Sequence, residues 1–177
     1  MPLSGPESGP AFSPTSAADG EAHFWLRPAQ QADYAFTLAL YMEGAEKHLS
    51  KIGRFDEKRL RGLYEEAFKP EQIEIICGDD REIGFIHVIE YPERLYLRQL
   101  HLVEGLRGRG IGTRLIEALF ERAKNAGKPV TLEVLHGNSA KQLYLRLGFR
   151  VTGEDADKEH MVWEGPGTPR GFRSAGK

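Results

Sequence analysis

Apolar and polar positions along the chain switch repeatedly between a period of two and a period near 3.6, the marks of strands and helices. Phe24–Arg27 has the strand period and ends at Pro28. Asp33 stands before a helical run through Tyr34, Leu38, Tyr41 and Met42, with a breakpoint expected near Gly44. Asp56 heads a second, shorter helix carrying Leu60, Leu63, Tyr64 and Phe68, stopped by Pro70. A meander follows: Ile73–Cys77 turns at Gly78-Asp79-Asp80 into Glu82–Tyr91, which turns at Pro92-Glu93 into Arg94–Val103. Turns this tight predict antiparallel pairing, because parallel neighbours need a crossover.

Beyond Val103 a helix is predicted with Leu115, Ile116, Leu119, Phe120 and Ala123 on one face and Arg114, Glu117, Glu121 and Lys124 on the other. Gly127 and Pro129 end it and introduce a buried strand, Val130–Leu135. Asn138 caps a short helix through Leu147, and Gly148 supplies a left-handed stop. Strands over Phe149–Gly153 and His160–Glu164 complete an α+β domain, a meander followed by strand–helix–strand units.

Composition trims this picture at both ends. Eleven of the first 22 residues are Pro, Gly or Ser, so Met1–Ala22 is expected to be a disordered tail rather than a secretory signal. Gly165–Lys177, with four glycines and two prolines, is expected to be another, leaving a domain over residues 23–164. Lys and Arg number 24 against 26 Asp and Glu, which gives no field suited to nucleic acid. The single Cys77 excludes an internal disulfide framework and a Cys-rich zinc site and is expected in the core; the six histidines show no metal-ligand spacing. No apolar run reaches the ~20 residues of a membrane span, so a cytoplasmic protein with no membrane partner and no metal is expected.

Four of the 20 glycines fall between Gly105 and Gly112, in a loop that leaves a strand and opens a helix. Helix-start N–H groups carry partial positive charge, and glycines let phosphate oxygens reach the main chain. Arg107, Arg109 and Arg114 add cations suited to phosphate, so a pyrophosphate ligand is expected. Ile111-Gly112-Thr113 lacks the lysine of a Walker loop, and the antiparallel strands before it do not suit a dinucleotide site.

The segment Arg107-Gly108-Arg109-Gly110-Ile111-Gly112 resembles the Arg/Gln-x-x-Gly-x-Gly/Ala signature of the GNAT superfamily of acyl-CoA-dependent N-acyltransferases. Val130–Val134 is similar to that family's fifth strand. Asn138-Ser139-Ala140-Lys141-Gln142-Leu143-Tyr144, ending in Leu147-Gly148-Phe149, is similar to its Asn-x-x-Ala-x-x-Leu-Tyr-x-x-x-Gly-Phe segment, one residue shorter between Asn and Ala. His160-Met161 resembles its closing strand. The resemblance implies a mixed, mostly antiparallel central sheet flanked by about four helices, with the fourth and fifth strands splayed apart to admit acetyl-CoA. It implies that His101, Leu102 and Val103 line the pantetheine arm, and that the amides of Arg107, Gly108, Arg109, Gly110, Ile111, Gly112 and Thr113 hold the pyrophosphate. Asn138 matches the position that hydrogen-bonds the pantetheine or pyrophosphate arm, and Tyr144 the residue that protonates the departing thiolate.

Acyl transfer to an amine needs a neutral nucleophile, a donor for the oxyanion and a proton for the thiolate. The resemblance places the oxyanion donor at a main-chain N–H near Leu102. The base is open among His101, Glu90, Glu43, Glu46 and a water chain. Strict alternation would place His101 with Gln99 and Val103 on one face of its strand, and Tyr96, Arg98 and Leu100 on the other. The first two helices, with Tyr41, Glu43, Glu46, His48, Arg54 and Phe55, are expected to face the acceptor. The reading is an acetyl-CoA-dependent N-acetyltransferase acting on a small-molecule or peptide amine by direct attack in a ternary complex, compatible with a homodimer. The alternative is an acyl-CoA-binding regulatory module without catalysis, suggested by the lack of an acid on the fourth strand.

Overall fold

Asp79 and Asp80 both have positive φ (49° and 59°), the mirror-image turn whose twist matches that of the strands it joins. It closes the first of a series of hairpins. The computed structural model describes residues 23–165. The chain runs β1 (Trp25–Pro28), α1 (Tyr34–Leu49), α2 (Glu57–Ala67), β2 (Ile73–Gly78), β3 (Arg81–Glu90) and β4 (Leu95–Leu102). It continues through α3 (Ile111–Ala126), β5 (Val130–Leu135), α4 (Ala140–Arg146), β6 (Arg150–Glu154) and β7 (Lys158–Trp163). The expected tails lie outside the described residues apart from Gly165, which is buried against Trp163.

Seven strands form one sheet in the order β1-β2-β3-β4-β5-β7-β6. Every neighbouring pair is antiparallel except β4 and β5, which α3 joins in parallel. The apolar stripe of α3 (Ile116, Leu119, Phe120 and Ala123) packs on Ile86, Val88, Leu97, Leu132 and Met161 from one face of the sheet. Phe120 stacks on Trp163 with centroids 3.9 Å apart. Leu38 and Leu40 of α1 and Tyr64 of α2 cover Ile73, Ile75 and Phe85 on the opposite face, with Cys77 in the same core. Each fully buried side chain of this size contributes about 1.5–3 kcal/mol.

Asp56 caps α2 as expected, its Oδ1 accepting from the Arg59 N–H at 2.9 Å. Asp33 does not cap α1 with its side chain. Its carboxylate takes both Arg27 guanidinium nitrogens at 2.8 Å and the Gln30 N–H at 2.7 Å, tying the start of α1 to β1. That pairing holds the Asp33 carboxyl below the usual carboxylate range. Leu63, placed by spacing on the apolar face of α2, is exposed.

The expected break at Gly44 does not occur, and α1 runs through it to Leu49. The glycine serves close packing instead: a Cβ there would lie 2.8 Å from Cε1 of the His101 ring. The expected alternation along β4 is also corrected. His87 pairs with Gln99 and Val88 with Leu97, so Arg98 is an extra residue, a β-bulge. Past the bulge Leu100 and Leu102 join the α3 side, while Gln99 and His101 stay on the α1 side with their partners His87 and Phe85.

Candidate active site

Parallel pairing of β4 and β5 covers three residue pairs, Leu95 with Val130, Tyr96 with Thr131 and Leu97 with Leu132. The strands then part. On its other edge β4 stays bonded to β3, where the Val103 N–H donates to Ile83 O at 2.9 Å. Alternation along an antiparallel ladder therefore turns the N–H and C=O groups of Leu100 and Leu102 away from β3, toward the opening. Three elements meet there: at Gly112 in the first turn of α3, a Cβ would lie 3.7 Å from Leu143 of α4 and 4.0 Å from Leu100 of β4.

The glycine loop rises at this mouth. After a 3-10 turn over Glu104–Leu106, Gly108 and Gly110 take positive φ (77° and 79°) and α3 begins at Ile111. A Cβ at either glycine would meet nothing within 4 Å, so the surface above the loop is open. The amides at the start of α3, Ile111 to Thr113, have no carbonyl within the helix to bond. Open space over donors at a helix start fits a pyrophosphate. The Arg107 side chain is turned back: its Nε donates to Leu102 O at 3.0 Å and its Nη2 to Glu43 Oε1 at 2.9 Å. Arg107 thus contributes its main chain to the loop while its side chain ties β4 to α1.

Asn138 follows β5 on the other side of the opening. Its Oδ1 accepts from the Ala140 N–H at 2.9 Å, which starts α4 and leaves the amide NH2 group to donate. Tyr144 lies one helical turn on, edge-on to Phe149 at 5.6 Å and packed on the main core. Burial pushes its phenol up to about 12, so it holds its proton throughout the physiological range.

The α1 side of the sheet carries the remaining candidates. His101 stacks on Phe85 at 5.1 Å with Tyr41 edge-on at 6.3 Å. Burial, reinforced by Arg107, brings its imidazole down to about 4, so the ring is neutral at physiological pH and a feeble base. Glu43 is shared by Lys47 at 2.8 Å and Arg107, which hold it below the usual range. Glu90 is paired with Lys128 and Arg122, both at 2.8 Å, and is lowered likewise. Arg54, in the α1–α2 connection, forms an ion pair with Asp157 in the β6–β7 turn, joining the two segments.

Sequence reading missed a cluster between these segments. Glu133 is the first β5 residue beyond the last β4 pair. Because Leu132 and Val134 belong to the α3 core, Glu133 faces the α1 side. Its carboxylate accepts from Lys158 Nζ at 2.8 Å and lies 3.6 Å from His160 Nδ1. His160 Nε2 is 3.4 Å from Asp155. The available signal was a carboxylate, the one charged residue of the strand, at the fourth position of Val-Thr-Leu-Glu-Val.

Residues 70–151 match the family model described as an acetyltransferase (GNAT) domain. Over 80 residues the chain is 34% identical to an L-methionine sulfoximine/L-methionine sulfone acetyltransferase of Pseudomonas paraeruginosa, covering 44% of this chain and 42% of that protein. A D-amino-acid N-acetyltransferase of Saccharomyces cerevisiae is 29% identical over 77 residues, 39% of this chain and 48% of that protein. The chain thus spans less than half of the curated relatives it matches. Among solved structures, the PaiA N-acetyltransferase of Thermoplasma acidophilum in complex with coenzyme A superposes with a TM-score of 0.65 at 19% identity. That match covers 80% of this chain and 98% of the other. PH1933 of Pyrococcus horikoshii gives 0.64 at 16% identity, over 81% and 99%. A glycine loop at the head of α3, strands that part beside it, and the family model matched over residues 70–151 make this part of the chain similar to a GNAT acetyltransferase domain.

Proposed function

We propose that the domain transfers an acetyl group from acetyl-CoA to a primary amine by direct attack within a ternary complex. The observation that carries this reading is the opening between β4 and β5 after only three residue pairs, with a cradle of main-chain donors at its mouth. Acetyl-CoA, when bound, would supply the thioester. Arg107, Gly108, Arg109, Gly110, Ile111, Gly112 and Thr113 would hold its pyrophosphate through their N–H groups. Asn138 would donate its amide NH2 to the arm, and His101 and Leu102 at the end of β4, with Val103 just beyond it, would flank it. A main-chain N–H facing the opening, at Leu100 or Leu102, would receive the oxyanion. Tyr144 would hand its proton to the leaving thiolate, a role that its protonated state suits.

The acceptor proposed is a small amine, because the two curated relatives are named for amino acids and their derivatives. Work on a cytoplasmic thioester goes with a cytoplasmic location. Among the described residues no helix is long and apolar enough to cross a membrane. The test is release of CoA thiol from acetyl-CoA with a panel of L-methionine sulfone, D- and L-methionine, 1,4-diaminobutane and a lysine peptide. Thiol release matched by acetylated product is expected from at least one small amine. Tight acetyl-CoA binding with no release from any of them would overturn the reading in favour of a binding module.

A further inference from the structure

The carbonyl that β4 turns into the opening at its last residue, Leu102, is already bonded: it accepts from Arg107 Nε at 3.0 Å. The same guanidinium is held from α1, its Nη2 donating to Glu43 Oε1 at 2.9 Å. That oxygen also accepts from Lys47 Nζ at 2.8 Å, and Lys47 donates in turn to Glu104 Oε1 at 2.8 Å, just ahead of the glycine loop. One guanidinium is therefore tied to the strand, to α1 and, through Lys47, to the 3-10 turn over Glu104–Leu106. Helix α1 is itself seated on β4 through the contact between Gly44 and the His101 ring.

An arm that carries amides and lies along the free edge of β4 pairs with it as a neighbouring strand would, N–H to C=O. Such an arm and the Arg107 side chain contend for Leu102 O and for the space beside it. When Arg107 yields, it loses a charge-assisted hydrogen bond and its carboxylate partner unless a second anion takes up the guanidinium. A pyrophosphate over the amides at the start of α3 is such an anion, because Arg107 opens the same loop, and the planar fork of an arginine suits it.

We propose that Arg107 is a specificity-determining residue for the acyl donor: its side chain is a latch across the free edge of β4, released only by a donor that carries both amides and a pyrophosphate. The inference rests on the acetyl-CoA reading above. Coenzyme A thioesters displace the guanidinium from Leu102 O and give it a new partner. Thioesters of pantetheine alone displace it and give it none, so they are discriminated against. Glu43 and Lys47 act through Arg107 as positioning residues that hold the latch in place.

The experiment titrates the unmodified protein, Arg107→Met and Glu43→Gln with coenzyme A by calorimetry and with pantetheine by NMR, which reads millimolar Kd. Pantetheine has both amides and the thiol of coenzyme A and no phosphate. Arg107→Met should bind pantetheine roughly fivefold more tightly than the unmodified protein and coenzyme A roughly fivefold less tightly, each factor equivalent to about 1 kcal/mol. Glu43→Gln loosens the latch but keeps the guanidinium, so it should tighten pantetheine binding without weakening that of coenzyme A. If Arg107 only supports the loop, both ligands weaken together in Arg107→Met. That result, or a pantetheine affinity unaltered in both variants, would overturn the proposal while cofactor binding stands. Coenzyme A that fails to bind the unmodified protein would instead remove the acetyl-CoA reading itself.

Discussion

The His101 ring occupies the space that a side chain at Gly44 would fill, its Cε1 2.8 Å from where a Cβ would stand. The ring is fixed from behind by the Phe85 stack and from the side by Tyr41, so it cannot simply swing away. Gly44→Ala would gain about 1 kcal/mol of helix propensity. Crowding a filled site costs about 1–3 kcal/mol, so a net loss near 1 kcal/mol is expected. In a His101→Ala background the same change should become stabilising. Urea unfolding of the four proteins in the cycle checks this, and a stabilising Gly44→Ala in the unmodified background would show that the ring yields.

Two histidines, His87 buried and His101 half-buried, make stability depend on pH. Burial brings both His87 and His101 from 6.5 down to about 4. The unfolded chain therefore binds protons that the folded one refuses between these values. Their contribution is complete above pH 6.5 and is lost as pH falls toward 4, at up to about 1.4 kcal/mol per pH unit for each. Asp33, Glu43 and Glu90 are lowered from 3.8 or 4.5, so their losses come at still lower pH. Urea midpoints at pH 7.5, 6 and 5 should fall steadily, and His87→Gln should flatten the slope. A midpoint constant over that range would contradict the burial of neutral imidazoles.

Tyr144→Phe keeps the ring in its place against Phe149 and removes the proton. The expected result is a fall in kcat of roughly 100-fold with Kd for acetyl-CoA unchanged. Pre-steady-state thiol release separates the chemical step from product release. An unchanged chemical step would exclude Tyr144 as the acid.

Gly110 combines a left-handed backbone with an open surface above it. Gly110→Ala strains the loop by about 1–2 kcal/mol and moves the amides at the start of α3. The expected signature is a Kd for acetyl-CoA raised about tenfold, with KM for the amine little altered. Calorimetric titration with CoA measures it, and an unchanged Kd would detach the loop from the cofactor.

The element order and the glycine loop were legible because both are local: periodicity, caps and turn residues lie within a few positions of the structure they specify. The meander, the helix opened by Gly110 and the cap at Asp56 all belong to this class. Faces of β4 were misread because one bulged residue, Arg98, reverses the alternation after it, and its cause lies in the pairing with β3. Gly44 reads as a helix breaker until the ring 57 positions away is placed beside it. Glu133 and His160 are brought together only by the β5–β7 register, and Arg54 meets Asp157 across 103 positions. No local pattern announces such pairs.

The three-pair seam between β4 and β5 has a consequence for how occupancy can be observed. Beyond Leu97 the seam leaves one edge of β4 without a strand partner, so the amides of Leu100 and Leu102 should exchange with solvent far faster than that of Val103, which is bonded to Ile83. A ligand lying along that edge would act as a missing strand and slow them selectively. Hydrogen exchange at two backbone positions would then report cofactor binding without any turnover, and would do so even in a variant that has lost its chemistry.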